Sequence, residues 1–402
     1  MSGQFSANAS ALGYFYQARY ALLLLMDEGK TNPDAEMSIE RFDDVAFEKA
    51  ENPTALIQTK HHFNSSASLS DSSTDLWKTI RIWCTESLKH GWDTDTLLFT
   101  LVTTALAPTG SIASKLCPSS SGFRNVDDAL IALCNVAKTS VNQDNKSAYD
   151  AFLSLNENQQ RTLLGNVRIL DASPNILDVR NKILVELRYT TKYLESMYER
   201  LEGWWFRKVI EHLSQDSNEP ISHRELLAKL YDLQQQFHQD NLPTDFPEPI
   251  DLDSKENTLN ENQRLFIEQL QLIKVSSTRI RIAVDDYHKA YKQRSRWVRE
   301  ELLLIEELTE YEDRLHNEWQ RYYEIMKEYL EEDAVEEKML QEGKKLFNEV
   351  DKMNFPIRPR CIEPYITRGS YHMLSNQLRV GWHVEFFNRL GHLVKLSEEI
   401  TA

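Results

Sequence analysis

Residues 37–60 read MSIERFDDVAFEKAENPTALIQTK. Three runs, 37–42, 44–48 and 54–60, alternate apolar and polar residues or concentrate apolar ones, as short strands do. The first two follow each other so closely that a tight antiparallel turn or bulge must join them. Residues 49–53 are polar and end in proline, which predicts a loop. The runs carry Glu40, Asp44, Gln58 and Lys60. Acidic oxygens on neighbouring strands, with a lysine two residues after a polar ligand, are the groups phosphodiester hydrolysis needs. Hard oxygens hold Mg²⁺, with Mn²⁺ as a substitute. The ion polarises a phosphoryl oxygen and generates hydroxide, and a cation such as Lys60 offsets charge on the phosphorane.

Side chains on a strand alternate faces. Asp44, Ala46 and Glu48 would share one face, and Asp43, Val45 and Phe47 the other. Val45 and Phe47 have core character, so Asp44 is preferred over Asp43 as the metal ligand. Asp43 is left in a supporting, structural or solvent-facing role, like Glu48. Gln58 and Lys60 share a face of the third run. Glu40 and the peptide carbonyl of Thr59 are candidates for further metal ligands, and Gln17 for a supporting contact from the preceding helix.

The flanking sequence predicts the rest of a small α/β core. Leu12, Tyr16, Tyr20, Leu23 and Leu24 recur at helical spacing across residues 10–26, with Ser10 as a candidate N-cap. Residues 72–89 form a second amphipathic helix with Leu76, Ile80, Trp83 and Leu88 inward. Residues 96–103, TLLFTLVT, are β-branched and apolar enough for a buried central strand. The expected order is α-β-β-β-α-β.

With that order, Asp44 and Gln58-Thr59-Lys60 resemble the PD-(D/E)xK signature of restriction-endonuclease-like folds, with Gln in the usual acid position. Tyr16-Gln17, Glu40-x-x-Asp43-Asp44 and Gln58-x-Lys60-His61-His62 are similar to the dsDNA endonuclease domain of CBASS-type and related anti-phage effectors, over residues 5–105. The resemblance implies a Mg²⁺-dependent endonuclease acting on double-stranded DNA. The missing acid puts weight on Asp44, Glu40 and substrate phosphate.

The chain is 402 residues long, enough for two domains. We expect a boundary near residue 200, giving an α+β domain over 1–200 and a mostly helical one over 201–402. Cys84, Cys117, Cys134 and Cys361 are scattered without C-x-x-C spacing, which argues against a disulfide framework or a zinc site. No basic leader and no apolar run of membrane-spanning length are present, so a cytoplasmic protein without membrane contact is expected. The net charge is −16. Residues 1–200 hold 19 Lys/Arg against 24 Asp/Glu, and residues 201–402 hold 27 against 38. Cationic contacts to phosphate drive non-specific DNA affinity. A chain this acidic should grip DNA poorly alone, and a partner or a homo-oligomer fits the balance better.

Residues 104–125 read as loop. Residues 126–136, 146–154 and 156–164 read as short helices, 166–170 as a strand, and 175–213 as largely helical. Residues 233–258 are a polar, proline-containing connection. Helix resumes over 261–275 and 278–332, where Leu304, Leu308, Tyr311, Leu315, Trp319, Tyr322, Met326 and Tyr329 make an apolar stripe. Residues 355–387 then pack prolines, aromatics and the arginines 358, 360, 368 and 379 into an irregular stretch whose guanidiniums suit carboxylate or phosphate.

The run Arg358-x-Arg360-Cys361-x-Glu363-Pro364-Tyr365-Ile366-x-Arg368-Gly369-Ser370-Tyr371-His372, followed by Gly381-Trp382-His383, resembles the C-terminal domain of ABC-three-component effectors, a group that includes the Lamassu nuclease subunit. That resemblance implies docking onto an SMC- or Rad50-like ABC ATPase and a small accessory subunit. Arg360, Glu363, Arg368, Tyr371, His372 and Trp382 are the candidate docking residues. Two rivals stand beside this reading. Cys361 with His372 or His383 could form a nucleophile–base pair. Alternatively, the N-terminal domain is a degenerate nuclease fold that only binds DNA or subunits.

Overall fold

The computed structural model describes residues 3–62, 66–214, 219–246, 264–331 and 333–400. Helix α1 (Gly3–Glu28) buries Tyr16, Tyr20, Leu22, Leu23 and Leu25. It begins well before Ser10, so that residue lies inside the helix and does not cap it. Strands β1 (Glu36–Ile39), β2 (Val45–Lys49) and β3 (Asn52–Lys60) form an antiparallel meander, with Ile39 opposite Val45 and Val45 opposite Ile57. The first strand is shorter than expected and the second starts one residue later, which leaves residues 40–44 as a bend. The expected 49–53 loop contracts to a two-residue hairpin turn. Ala50 and Glu51 both take positive φ, at 50° and 63°, the twist that closes a two-residue hairpin.

Helix α2 (Thr74–His90) crosses the sheet and delivers β4 (Leu98–Thr103) parallel to β3. Leu76, Ile80 and Trp83 face inward as expected. Leu88 does not: it is 53% exposed and lines an open cleft with Trp92 and Leu155. Four helices follow: α3 (Ile112–Lys115), α4 (Val126–Thr139), α5 (Lys146–Leu153) and α6 (Glu157–Asn166). They join α2 in one hydrophobic core, where Trp77 meets Tyr149 and Phe152 edge-on. Strand β5 (Val167–Leu170) adds parallel to β4. Helices α7 (Ile176–Leu187) and α8 (Leu194–Ser214) lead to the two-residue strand β6 (Ile221–Ser222) and to α9 (His223–Gln236). The sheet order is β5-β4-β3-β2-β1-β6, which puts the acid-bearing hairpin and Lys60 at its centre.

The chain divides into the units Met1–Leu233 and Gln234–Ala402, later than the boundary expected near 200. Helix α8 belongs to the first unit because it is tied to α1 and β1. Trp205 Nε1 donates to Ala18 O at 2.6 Å, Arg19 Nε to Glu202 Oε1 at 2.6 Å, and Ile39 N to His212 Nε2 at 3.1 Å.

The second unit is helical among its described residues: α10 (Arg264–Leu272), α11 (Ser277–Arg299), α12 (Ile305–Glu328), α13 (Glu336–Asp351), α14 (Pro364–Asn376) and α15 (Phe386–Ile400). The helical stretch expected over 278–332 breaks at residues 300–304, where Glu301 takes φ 57° and the chain turns in to bury Leu302 and Leu303. Along α12, Tyr311, Leu315, Trp319 and Met326 are buried, while Leu304 and Tyr329 are exposed. Helices α11 and α14 pack at glycine distance: a Cβ on Gly369 would meet Asp286 O at 2.2 Å. Within the expected 233–258 connection, residues 247–258 lie outside the described residues, as do 261–263 of the expected 261–275 helix. Among the described residues, no helix is long and apolar enough to cross a membrane.

Candidate functional site

The bend between β1 and β2 decides where the acids go. Glu40 enters it at φ 58°, and its N–H donates to Asp44 O at 3.2 Å, closing the reversal. Gln17 on α1 braces the same turn: its Nε2 donates to Asp44 O at 2.5 Å and to Glu40 Oε1 at 3.0 Å. Gln17 is thus a structural clamp on the hairpin as well as a neighbour of Glu40.

Regular pleating would send Asp43 and Asp44 to opposite faces, but neither lies in a strand. Both carboxylates reach the amide of Gln58: its Nε2 donates to Asp43 Oδ1 and, at 3.0 Å, to Asp44 Oδ1. Asp44 Oδ2 also accepts from the Thr59 N–H at 2.8 Å and the Thr59 hydroxyl at 3.1 Å. Asp43 is buried rather than solvent-facing. Its other oxygen accepts from the indole N–H of Trp83 on α2 at 2.9 Å. That burial, with the neighbouring charge of Asp44, pushes the Asp43 carboxyl up to about 6, against the hydrogen bonds that favour its ionised form. Partial desolvation also raises Glu40, opposed by the Gln17 hydrogen bond. Lys60 donates to Gln58 Oε1 at 2.9 Å, so Gln58 links both acids to the lysine.

The structure therefore brings Asp43, Asp44, Gln58, Thr59 and Lys60 together, with Glu40 and Gln17 on the adjoining turn. Glu48 lies apart, buried and paired with Arg41 at 2.8 Å. Trp83 and the Thr59 hydroxyl are contacts that strand periodicity missed. A buried indole N–H needs an acceptor, so an inward Trp83 was the available signal. Among the described residues, no group of three or more His, Cys, Asp or Glu side chains is arranged to hold a metal.

The candidate docking residues divide by burial. Tyr371, His372 and Trp382 are inside the helical unit, with Tyr371 Oη donating to Leu315 O at 3.1 Å. They build the core and do not present a surface. Arg360 is exposed and bonds Gln235 Oε1 at 3.0 Å, Glu363 is half-buried, and Arg368 reaches Asp351 O at 3.1 Å. The guanidiniums of Arg358 and Arg379 already have carboxylates: Arg358 grips Glu307 through two nitrogens at 2.8 and 2.9 Å, and Arg379 meets Glu312 at 2.7 Å. The Cys361 nucleophile reading loses its chemistry, since burial pushes the thiol up to about 12 and holds the His372 imidazole down at about 3.

With this geometry in view, comparison with known proteins adds one finding. Residues 266–390 match the family model of C-terminal domain 7 of the ABC-three component (ABC-3C) systems. The match lies within the second unit and supports a place for the chain in such a system. No curated protein matches the chain.

Proposed function

We propose that this chain is a Mg²⁺-dependent endonuclease for double-stranded DNA and the effector subunit of an ABC-three-component anti-phage complex. The observation that carries the reading is the convergence of Asp43, Asp44, Gln58 and Lys60 at the centre of the sheet. The α-β-β-β-α-β order, with an antiparallel meander and a parallel fourth strand, supports a restriction-endonuclease-like core.

The donor set suits a hard divalent ion. It consists of oxygens alone: the carboxylates of Asp44 and Asp43, Gln58 Oε1, the Thr59 carbonyl and, from the turn, Glu40. Two carboxylates within reach of one amide nitrogen concentrate negative charge, which burial of Asp43 makes costly. A bound Mg²⁺ would polarise a phosphoryl oxygen and acidify a water. Lys60 offsets charge developing on the phosphorane. Gln58 orients that ammonium, Thr59 fixes the Asp44 carboxylate, and Gln17 holds Glu40 and the turn in register. Contacts would go to the DNA backbone, since no base-reading element is evident.

The C-terminal unit would dock the nuclease onto an SMC- or Rad50-like ABC ATPase and a small accessory subunit, which hold it inactive in the cytoplasm until release or oligomerisation. An acidic monomer offers DNA little grip, and assembly of several copies would supply more. The Gln in place of an acid favours a second reading, a non-catalytic adaptor with a degenerate site. One assay separates the two: full-length protein, alone and with co-purified partners, on linear duplex DNA with Mg²⁺. Cleavage lost in Lys60→Ala and Asp44→Ala, with folding intact, supports the enzyme. No cleavage in any preparation supports the adaptor, and cutting that persists in both variants places the chemistry elsewhere.

A further inference from the structure

His62 and Asp75 form a pair that the site above does not use. Gln58 and Lys60 share one face of β3, and His62 lies two residues beyond the strand's end. Helix contacts mark the sides independently. His61 stacks on Tyr16 of α1 at 4.7 Å, whereas His62 Nε2 lies 2.7 Å from Asp75 Oδ2 on α2. The last ladder pair is Lys60 with Thr103. Beyond it the His62 backbone is pinned by Thr104: His62 N–H donates to Thr104 Oγ1 at 2.8 Å, and that hydroxyl donates to His62 O at 3.2 Å.

The side chains of His62 and Asp75 remain 35% and 25% exposed. A partly solvated imidazole–carboxylate pair adds little to folding, yet here one contact orients the His62 side chain and two more pin its backbone. His61 shows the structural alternative, packed on a buried ring with its pKa lowered by desolvation. What the clamps achieve is an imidazole fixed two residues beyond Lys60. A carboxylate behind an imidazole sets its orientation.

We infer that His62 contacts the sugar-phosphate backbone of a DNA strand, at the position next to the phosphate that Lys60 faces, with Asp75 as its positioning residue. The imidazole sits there between two anions, with Nε2 toward Asp75 and Nδ1 toward the phosphate. The contact matters in a chain of net charge −16, where each oriented contact to phosphate near the site counts. This inference rests on the nuclease reading.

The test measures duplex DNA binding by full-length Lys60→Ala protein with and without His62→Ala, and steady-state cleavage by the proteins that keep Lys60. His62→Ala is expected to weaken binding and raise KM about ten-fold, with kcat within about three-fold. Asp75→Asn should show part of the same KM effect. His62→Gln, which keeps a neutral donor toward Asp75, should match the parent Tm yet not restore binding. If wild type cleaves and needs Lys60 while His62→Ala leaves Kd and KM unchanged, the inference is overturned and the nuclease reading stands. If wild type, alone and with co-purified partners, neither binds nor cleaves DNA, both are overturned together.

Discussion

Gln58 Nε2 lies 3.0 Å from Asp44 Oδ1, and the same nitrogen also donates to Asp43. An amide therefore does electrostatically what a third carboxylate could not: it holds two acids together while its oxygen accepts from Lys60. A carboxylate at the same place would repel both acids unless a cation intervened.

Gln58→Glu tests that relationship. In metal-free buffer the variant should lose roughly 1–3 kcal/mol of stability, through a lost hydrogen-bond donor and added repulsion. Excess Mg²⁺ should then raise its Tm by more than it raises that of wild type, because the ion binds the folded site. Thermal unfolding with chelator and with Mg²⁺ reads both effects. Equal responses in the two proteins would argue against a metal site at these residues.

Asp44 accepts three hydrogen bonds from Gln58 and Thr59. Asp44→Ala leaves the buried Thr59 unpaired and should cost about 1–3 kcal/mol. Asp44→Asn keeps the shape and should cost less. Both should lower DNA cleavage by at least about 100-fold if the carboxylate is required for electrostatic stabilisation. Denaturant unfolding beside the cleavage assay separates the two losses.

The Asp43 carboxyl sits at about 6 in the fold against an ordinary value of 3.8. Below both values the group is neutral in the folded and unfolded chain and contributes no pH dependence. As pH rises from about 4 to 6 the unfolded chain ionises more readily, so folding stability falls. Above about 6 the full penalty, on the order of 3 kcal/mol, is in place. Asp43→Asn should remove this fall. Urea titrations of metal-free wild type and variant at pH 4, 5 and 7 compare the slopes; parallel curves would show that Asp43 is not the group responsible.

Glu40 combines a left-handed backbone with a carboxylate beside Asp44. Replacing it separates the two roles. Glu40→Gly relieves a conformation that costs a non-glycine residue about 1 kcal/mol, and should leave Tm equal or higher. Glu40→Ala keeps the strain. If the carboxylate assists a metal, both variants lose cleavage equally; if only the turn matters, Glu40→Gly retains it.

Gly369 lets α14 approach the backbone of α11, where a methyl group would meet Asp286 O at 2.2 Å. Gly369→Ala forces two packed helices apart and should cost about 1–3 kcal/mol. If the unit docks an ATPase as proposed, co-purification with it should weaken in step. Unchanged stability would mean that this crossing relaxes freely.

Much of this architecture was legible in the sequence. The order of helices and strands around residues 37–60 followed from period-two and period-3.6 patterns, because burying one face of each element imposes those periods. Lys60 and Gln58 shared a face by the same rule. Asp43 was misplaced because the rule presumes extended backbone, and the chain bends at residues 40–44 before β2 begins. Two-residue β6 carries too little sequence to announce itself, and its pairing with β1 depends on where α8 ends. Tyr371, His372 and Trp382 looked like interface residues because aromatic side chains serve cores and interfaces alike.

The sequence by itself determined the periodicities, the clustering of acids, Gln58 and Lys60 within residues 40–60, and the acidic charge, since each depends on neighbours a few residues apart. Only the tertiary structure decided that Trp83 holds Asp43, that Gln58 joins both acids to Lys60, and that His62 is backed by Asp75. Those contacts join residues 2 to 40 positions apart, across a bend and between layers. Their geometry is set by how the helices pack on the sheet, which no local pattern encodes.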